Sequence, residues 1–240
     1  MQDANDIVDD ILAGVPVSTD VEVNLPSENR IYRLLDESKP ITIRPMTFED
    51  EKSLINGEDD EDSVNLLLSR CVSNINVNDL ITIDKFYLLM KLREISYGDD
   101  YNVLLMCSHC GAENPTNVKL SELNVNPVPD DFQEPIKYTL PVLKKEVALR
   151  YPRVKDEKFL EGTGSLDNIW RFVESIDGQT NKTVISRVIE KLPLIDIKTM
   201  LKLIKTDFGV DTSVKLKCSE CGEISIKELP INANFFDVSL

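Results

Sequence analysis

The chain has 240 residues, with 27 lysine and arginine residues against 42 aspartate and glutamate residues and a formal net charge of −15. This charge argues against a surface for duplex nucleic acid, which needs clustered basic residues. Hydrophobic residues make up 42% of the chain, enough to build a core in one large domain or two small ones. No apolar run reaches the roughly 18 residues of a membrane span. The acidic N-terminus is unlike a signal peptide, so a cytosolic protein is expected.

Residues 1–21 are predicted to be an N-terminal extension. They carry a short apolar stripe among acidic residues, made of Ile7, Val8, Ile11 and Leu12. A stripe of this length does not form a stable helix alone. Two interpretations stay open, a frayed terminus and a helix that becomes ordered on a partner.

Residues 22–125 show a pattern of strands and helices that ends around a Cys-x-x-Cys-Gly motif. A strand leads to Leu25-Pro26, and an alternating strand, three helices and two further strands follow. Gly98 is predicted to cap the last helix. The predicted ranges are strand Ile41–Arg44, a helix from Thr47, helices Ser63–Val72 and Asp84–Ser96, and strands Asn102–Met106 and Thr116–Leu120.

Residues 132–233, which follow a predicted linker at 125–132, repeat this plan. A strand leads to Leu140-Pro141, and strands again flank the cysteines. The predicted ranges are strand Val147–Arg150, a helix from Arg153, helices Ser165–Glu174, Asn181–Lys191 and Ile195–Asp207, the last closed by Gly209, and strands Ser213–Lys217 and Ile224–Glu228.

The two halves also share sequence, which indicates an internal duplication. Gly98–Gly111 and Gly209–Gly222 align without a gap, and eight of the fourteen positions are identical. Residues 41–54 and 147–160 share an arginine and an Asp-Glu-Lys run in the same register. The sequence therefore predicts an α+β fold made of two similar halves, 22–125 and 132–233.

Four of the five cysteines form two Cys-x-x-Cys-Gly motifs, each placed after an alternating strand: Cys107, Cys110, Cys218 and Cys221. Two thiolates on a tight turn form a zinc knuckle, and two facing knuckles give the four sulfur ligands of a structural zinc ion. The two Cys-x-x-Cys motifs of such a site are usually about 15–20 residues apart, and here the separation is larger. The duplication explains this, because each half supplies one knuckle to a shared, zinc-ribbon-like site.

Two other interpretations of the cysteines remain. A redox pair is disfavoured because the motifs lie between strands and not at a helix N-terminus. The second is a degenerate site, in which the two knuckles pack against each other without binding a metal. His109, the single histidine, matches Glu220 in the other knuckle and is expected to be solvated, while Cys71 is expected to be a buried hydrophobic residue.

Nothing in the sequence predicts catalysis, and we expect the chain not to be an enzyme. The pairs Asp50-Glu51 and Asp156-Glu157 resemble acid/base carboxylates, but each is predicted to start a helix, where acidic residues are favoured. The acidic run Glu58–Asp62 lacks the alternating ligands of a calcium loop.

Several motifs together resemble one protein family. They are Asn24–Tyr32 with its Leu-Pro-Ser sequence, Ile43–Lys52 with Arg-Pro-Met-Thr, and Lys91–Asp99 with Arg-Glu-Ile-Ser-Tyr-Gly, followed by the first knuckle. This combination is similar to the baseplate hub and assembly proteins of T-even-type contractile-tailed bacteriophages. Asn29 stands where that family commonly has glycine. The resemblance implies a role in building the tail baseplate through contacts with other phage baseplate and tail proteins.

The resulting hypothesis is a zinc-stapled structural or assembly protein, found in the virion tail baseplate and in the host cytoplasm during assembly. One alternative is an assembly chaperone that is absent from the mature virion. The other is a zinc-ribbon nucleic-acid-associated factor, against which the net charge of −15 argues.

Overall fold

The computed structural model of the chain describes residues 6–7, 11, 20–55, 60–160, 167–230 and 233–236. Most of the predicted N-terminal extension and part of the acidic run Glu58–Asp62 lie outside the described residues. No helix among the described residues is long and apolar enough to cross a membrane. The described chain mixes helices with several small antiparallel sheets, as the α+β prediction requires.

The first half begins with a three-stranded antiparallel sheet in the order β1-β2-β3, formed by Val21–Glu22, Thr42–Ile43 and Val72–Ser73. Two helices lie between β2 and β3 in the chain, α1 (Phe48–Ile55) and α2 (Asp60–Cys71). The longest helix among the described residues, α3, covers Thr82–Tyr97 and ends at Gly98, whose φ of 95° lies in the left-handed region. The predicted Gly98 cap is confirmed, because its N–H donates to the Glu94 carbonyl.

A hairpin and a short strand complete the first half: β4 (Asp100–Met106), β5 (Glu113–Lys119) and β6 (Val125–Asn126). The second half opens with another three-stranded antiparallel sheet in the order β7-β8-β9, formed by Ile136–Thr139, Glu146–Leu149 and Val173–Ile176. Helices α4 (Lys182–Ile189) and α5 (Leu194–Leu203) follow. The last strands are β10 (Gly209–Val210), β11 (Ser213–Lys217) and β12 (Ile224–Glu228).

Three predicted elements of the second half are wrong. The start of the predicted helix Ser165–Glu174 lies outside the described residues, and its described part contains a 3₁₀ helix at Ile169–Phe172 followed by β9, whose residues pair with the buried strand β8. The helix predicted from Arg153 is also a 3₁₀ helix, Val154–Phe159. The last helix ends at Leu203 and Gly209 begins β10, because the chain there extends to pair with another strand.

That partner strand is β6, which lies within the predicted linker at 125–132. Gly209 pairs with Asn126 and Val210 with Val125, so the end of the first half is joined to the second half by antiparallel pairing. A small apolar cluster packs beside this pairing, made of Ile81, Val128, Phe132, Tyr151 and Phe208. Two larger clusters fill the two halves, and the first also contains Leu229, Phe235 and Phe236 from the C-terminal region.

An arginine–aspartate ion pair recurs at matching places in the two halves. The Arg44 guanidinium donates to both carboxylate oxygens of Asp50, at 2.7 and 3.3 Å, and Arg150 donates to Asp156 at 2.6 and 3.0 Å. Each arginine also donates to the carbonyl of the next residue, at 3.0 and 3.1 Å. Each aspartate accepts the backbone N–H three residues before it, at 2.9 Å in both halves.

A second recurring contact joins a helix to the turn that follows Leu-Pro. Asp84 of α3 accepts hydrogen bonds from the N–H and the hydroxyl of Ser27, at 3.1 and 2.5 Å. Asp196 of α5 accepts from the N–H groups of Val142 and Leu143, both at 2.9 Å. Both carboxylates are fully buried, and such groups are tolerated only when hydrogen-bonded. Burial raises the pKa of Asp84 above its ordinary range.

The Arg44–Asp50 pair predicts an acid-dependent loss of stability. The Arg44 hydrogen bonds lower the pKa of Asp50 to about 2, so its ionised form stabilises the fold fully above the ordinary carboxyl pKa near 4. This contribution, about 2 kcal/mol, is lost as the pH falls from about 4 to about 2. Urea unfolding should therefore show Asp50→Asn less stable than wild type at pH 6, with the difference vanishing near pH 2.

Glu49→Gln is the matched control, because Glu49 is exposed in the same helical turn. It should leave the free energy of unfolding within about 0.5 kcal/mol of wild type at each pH. A constant difference between wild type and Asp50→Asn across this pH range would contradict the assigned role of the ion pair.

Candidate metal centre

Two hairpins of the same construction carry the four predicted cysteines. β4 pairs with β5 from Asp100–Lys119 to Met106–Glu113, and β11 pairs with β12 from Ser213–Glu228 to Lys217–Ile224. The alternating residues that predicted these strands also give each hairpin a buried inner face, with Leu105 on one and Leu216 on the other. Each hairpin ends in a Cys-x-x-Cys-Gly turn.

The two turns have the same backbone hydrogen bonds. The Cys107 N–H donates to the Ala112 carbonyl at 2.9 Å, and the Gly111 N–H donates to the Cys107 carbonyl at 3.0 Å. The equivalent bonds of the second turn, Cys218 to Glu223 and Gly222 to Cys218, measure 2.9 and 3.1 Å. Both glycines have a left-handed φ, 75° and 73°, which explains why glycine follows each motif.

The structure brings the four cysteine sulfur atoms together, all within 4.8 Å of one another. The sulfur atoms of Cys107 and Cys221 are 3.7 Å apart, as are those of Cys110 and Cys218. A zinc ion with Zn–S bonds of about 2.3 Å holds tetrahedral ligands about 3.8 Å apart. The donor set and its spacing therefore fit a tetrahedral metal ion, although they do not specify which one.

The thiols interact strongly with one another. The N–H of Cys110 lowers the pKa of Cys107, and the N–H of Cys221 lowers the pKa of Cys218 to about 6. The N–H of Glu223 also acts to lower the pKa of Cys221, but poor hydration and the neighbouring sulfur atoms raise it to about 12. Four thiolates this close repel one another, and a central cation removes that repulsion.

One buried polar side chain that the sequence analysis missed lies against this cluster. Asn114 of β5 is 4% exposed, and its amide contacts Cys218 and Ser219 of the other hairpin. The sequence contains a signal for this position, because Asn114 is two residues before Thr116 and so lies on the same inward face of the strand. The predicted strand began at Thr116 and so left Asn114 out. A second contact between the hairpins joins the Lys227 ammonium to the Ser108 hydroxyl at 2.8 Å.

The other sequence candidates lie outside the cluster. His109 is exposed and contributes only its backbone N–H, which donates to the Cys107 sulfur at 3.4 Å. Cys71 is buried at the end of α2, as predicted. Among the described residues, the four cysteines are the one group of potential metal ligands that lie close together.

The carboxylate pairs at 50–51 and 156–157 are engaged in structural contacts. Asp50 and Asp156 bind arginine, as described above. Glu51 accepts a hydrogen bond from the Tyr97 hydroxyl at 3.3 Å, and Glu157 accepts one from the Lys85 ammonium at 2.6 Å. Their contacts agree with the structural interpretation made from the sequence.

Cys71 and the cluster should differ in reactivity towards iodoacetamide. Cys71 is 2% exposed, and burial raises the pKa of its thiol to about 11, so it lacks both access and thiolate character. In metal-free, folded protein, mass spectrometry should find Cys110, an exposed member of the cluster, alkylated before the buried Cys71. Unfolding in guanidinium should expose all five. Early alkylation of Cys71 would contradict its placement.

Comparisons with known proteins give one positive finding. Curated protein sequences and solved structures yield no significant match. A family model described as T4 bacteriophage base plate protein matches residues 19–237. This match includes both hairpins and all four clustered cysteines, and it agrees with the resemblance noted in the motifs. The chain belongs to the T4 bacteriophage base plate protein family.

Proposed function

We propose that this protein is a structural or assembly component of the phage tail baseplate whose two halves are locked together by one structural zinc ion. The ligands are Cys107, Cys110, Cys218 and Cys221. The observation that carries the metal assignment is the 3.7 Å spacing between sulfur atoms from opposite hairpins. Family membership supports the baseplate role.

The donor set favours zinc in a structural role. Four thiolates complete a tetrahedral coordination shell and leave no position for water or substrate. Two ligands come from each half of the chain, so the metal acts as a staple between them. We therefore propose a protein that is not an enzyme and that works through its shape.

We also propose that the halves 22–125 and 132–233 arose by duplication. The supporting observations are the two sheets of the same strand order, the two Arg–Asp pairs with matching backbone contacts, and the two cysteine turns with matching hydrogen bonds. The buried aspartates that hold the Leu-Pro turns add a further pair. The shared metal would then lie near a pseudo-twofold axis.

The proposed partners are other baseplate and tail proteins, in the virion and in the host cytoplasm during assembly. The outward faces of the hairpins support this: Leu104 and Met106 are 59% and 60% exposed, and Ile224 and Ile226 are 54% and 75% exposed. Exposed apolar side chains grouped on a strand are typical of protein contact surfaces. Mass spectrometry of purified virions distinguishes a baseplate component from a chaperone that leaves before maturation.

The proposed zinc site predicts the metal content. Purified protein should contain one zinc per chain by inductively coupled plasma mass spectrometry, because the four thiolates form a single closed site. Cys218→Ser should lose most of that zinc, since three thiolates bind it more weakly. Cys71→Ala is the matched control and should keep one zinc. A wild-type protein that binds no zinc, or two, would refute the assignment.

The staple predicts how loss of the metal affects assembly. Cys218→Ser should lower the melting temperature while far-UV circular dichroism stays largely unchanged, because the two large apolar clusters contain none of the four metal-site cysteines. In an infection complemented with this variant, electron microscopy should count fewer completed baseplates, and Cys71→Ala should restore the normal number. A normal baseplate yield from a zinc-free variant would show that the staple is dispensable.

A further inference from the structure

Asn114 occupies a buried position between the two hairpins. It lies on β5 opposite Leu105, on the inner face of the first hairpin. Its side-chain N–H groups donate to the Ala112 carbonyl at 2.9 Å and to the Cys218 sulfur at 3.7 Å. Its oxygen accepts from the N–H of Ser219 at 2.8 Å and from the Ser219 hydroxyl at 3.1 Å.

These contacts fix the orientation of the amide. The backbone N–H of Ser219 is a donor only, so the atom that faces it must be the Asn114 oxygen. The nitrogen then faces Cys218 and Ala112. Because the Ala112 carbonyl also accepts the N–H of Cys107, the single Asn114 side chain connects the backbone of the first cysteine turn to the second turn.

Among the residues that the structure describes, the second hairpin has no equivalent contact. Ser225 occupies the position that matches Asn114, since it pairs with Leu216 as Asn114 pairs with Leu105. Its hydroxyl is buried without a hydrogen-bond partner. The second cysteine turn is therefore held by a buried amide, whereas the first turn is held across the interface by the exposed Lys227–Ser108 contact.

We propose that Asn114 is a positioning residue for the metal centre, which orients the Cys218 thiolate and sets the metal affinity of the site. This inference rests on the proposed zinc site. Hydrogen bonds from groups outside the ligand set fix ligand orientation, and their loss typically lowers metal affinity about 10–100-fold. An N–H donor to a thiolate also withdraws charge from the sulfur, so its removal alters the metal–sulfur bond itself.

The test compares asparagine substitutions at two positions of the same strand. Asn114→Ala removes every contact, and Asn114→Asp keeps an acceptor for Ser219 but loses the donors to Cys218 and Ala112. Asn117→Ala and Asn117→Asp are the controls, because Asn117 is exposed on β5 and bonds only to Asn102. The two Asp variants change the net charge equally.

Zinc affinity is measured by competition with a chromophoric chelator, and Co²⁺ is added separately to record the sulfur-to-cobalt charge-transfer band. Both Asn114 variants should bind zinc about 10–100-fold more weakly than wild type and should shift the Co²⁺ band. The zinc affinity of both Asn117 variants should stay within about twofold of the wild-type value, and their Co²⁺ spectra should match that of the wild type. Circular dichroism of the metal-free proteins verifies that the variants fold. If Asn114→Ala does not fold, the comparison is made with Asn114→Asp alone.

The outcomes separate the two proposals. A wild-type protein that binds neither zinc nor Co²⁺ refutes the proposed metal site. A wild-type protein that binds one metal ion while Asn114→Asp binds it with unchanged affinity and spectrum refutes only the role of Asn114. A loss of unfolding free energy in the metal-free Asn114 variants without a change in the Co²⁺ band would also refute it, because Asn114 would then only support the fold.

Discussion

The arrangement depends on one constraint, the meeting of two cysteine turns that are separated by residues 111–217. Closing a chain segment of about 100 residues costs several kcal/mol of entropy, an amount that rises only slowly with length. Contacts that do not involve the sulfur atoms offset this entropy. The antiparallel pairing of β6 with β10 and the small cluster around Phe132 and Phe208 bring the halves together next to the hairpins. These contacts lie beside the hairpins that carry the cysteines, so they help to place the two turns against each other.

Inside each half, a strongly acidic chain places some of its carboxylates where they organise the backbone. Asp50 and Asp156 accept backbone N–H groups and bind arginine, and Asp84 and Asp196 hold the turns after Leu-Pro. Removing one partner from such buried contacts is costly, because the remaining donors lose their acceptors. These contacts give each half a rigid frame, so the hairpins that carry the cysteines extend from fixed positions. Such a frame suits the contact-based role proposed for this protein.

Local patterns in the sequence predicted the site better than the fold around it. The strands Ser213–Lys217 and Ile224–Glu228 and their cysteine turn follow the prediction, because alternation and a left-handed glycine are local properties. β6 was predicted as a linker, since nothing in Val125–Asn126 reveals its distant partner β10. The helix predicted to end at Glu174 covers the first two residues of β9 for the same reason: the conformation of this strand depends on pairing with β8. Asn114 is the corresponding case at the site, an ordinary polar residue whose importance arises only when the second hairpin packs on it.

The contacts between the halves determine how much a metal between them would add. The large cluster of the second half contains residues of that half alone, whereas the large cluster of the first half also includes Val154, Leu229, Phe235 and Phe236. The smaller cluster around Phe132 and Phe208 joins the halves as well. Interfaces of this kind permit relative motion unless a further link restrains them. A tetrahedral metal with two ligands from each hairpin restrains both distance and angle, which an apolar contact does not. The proposed zinc would therefore add a fixed geometry at the hairpin tips to these apolar contacts, and its effect on a baseplate would come through the relative orientation of two surfaces.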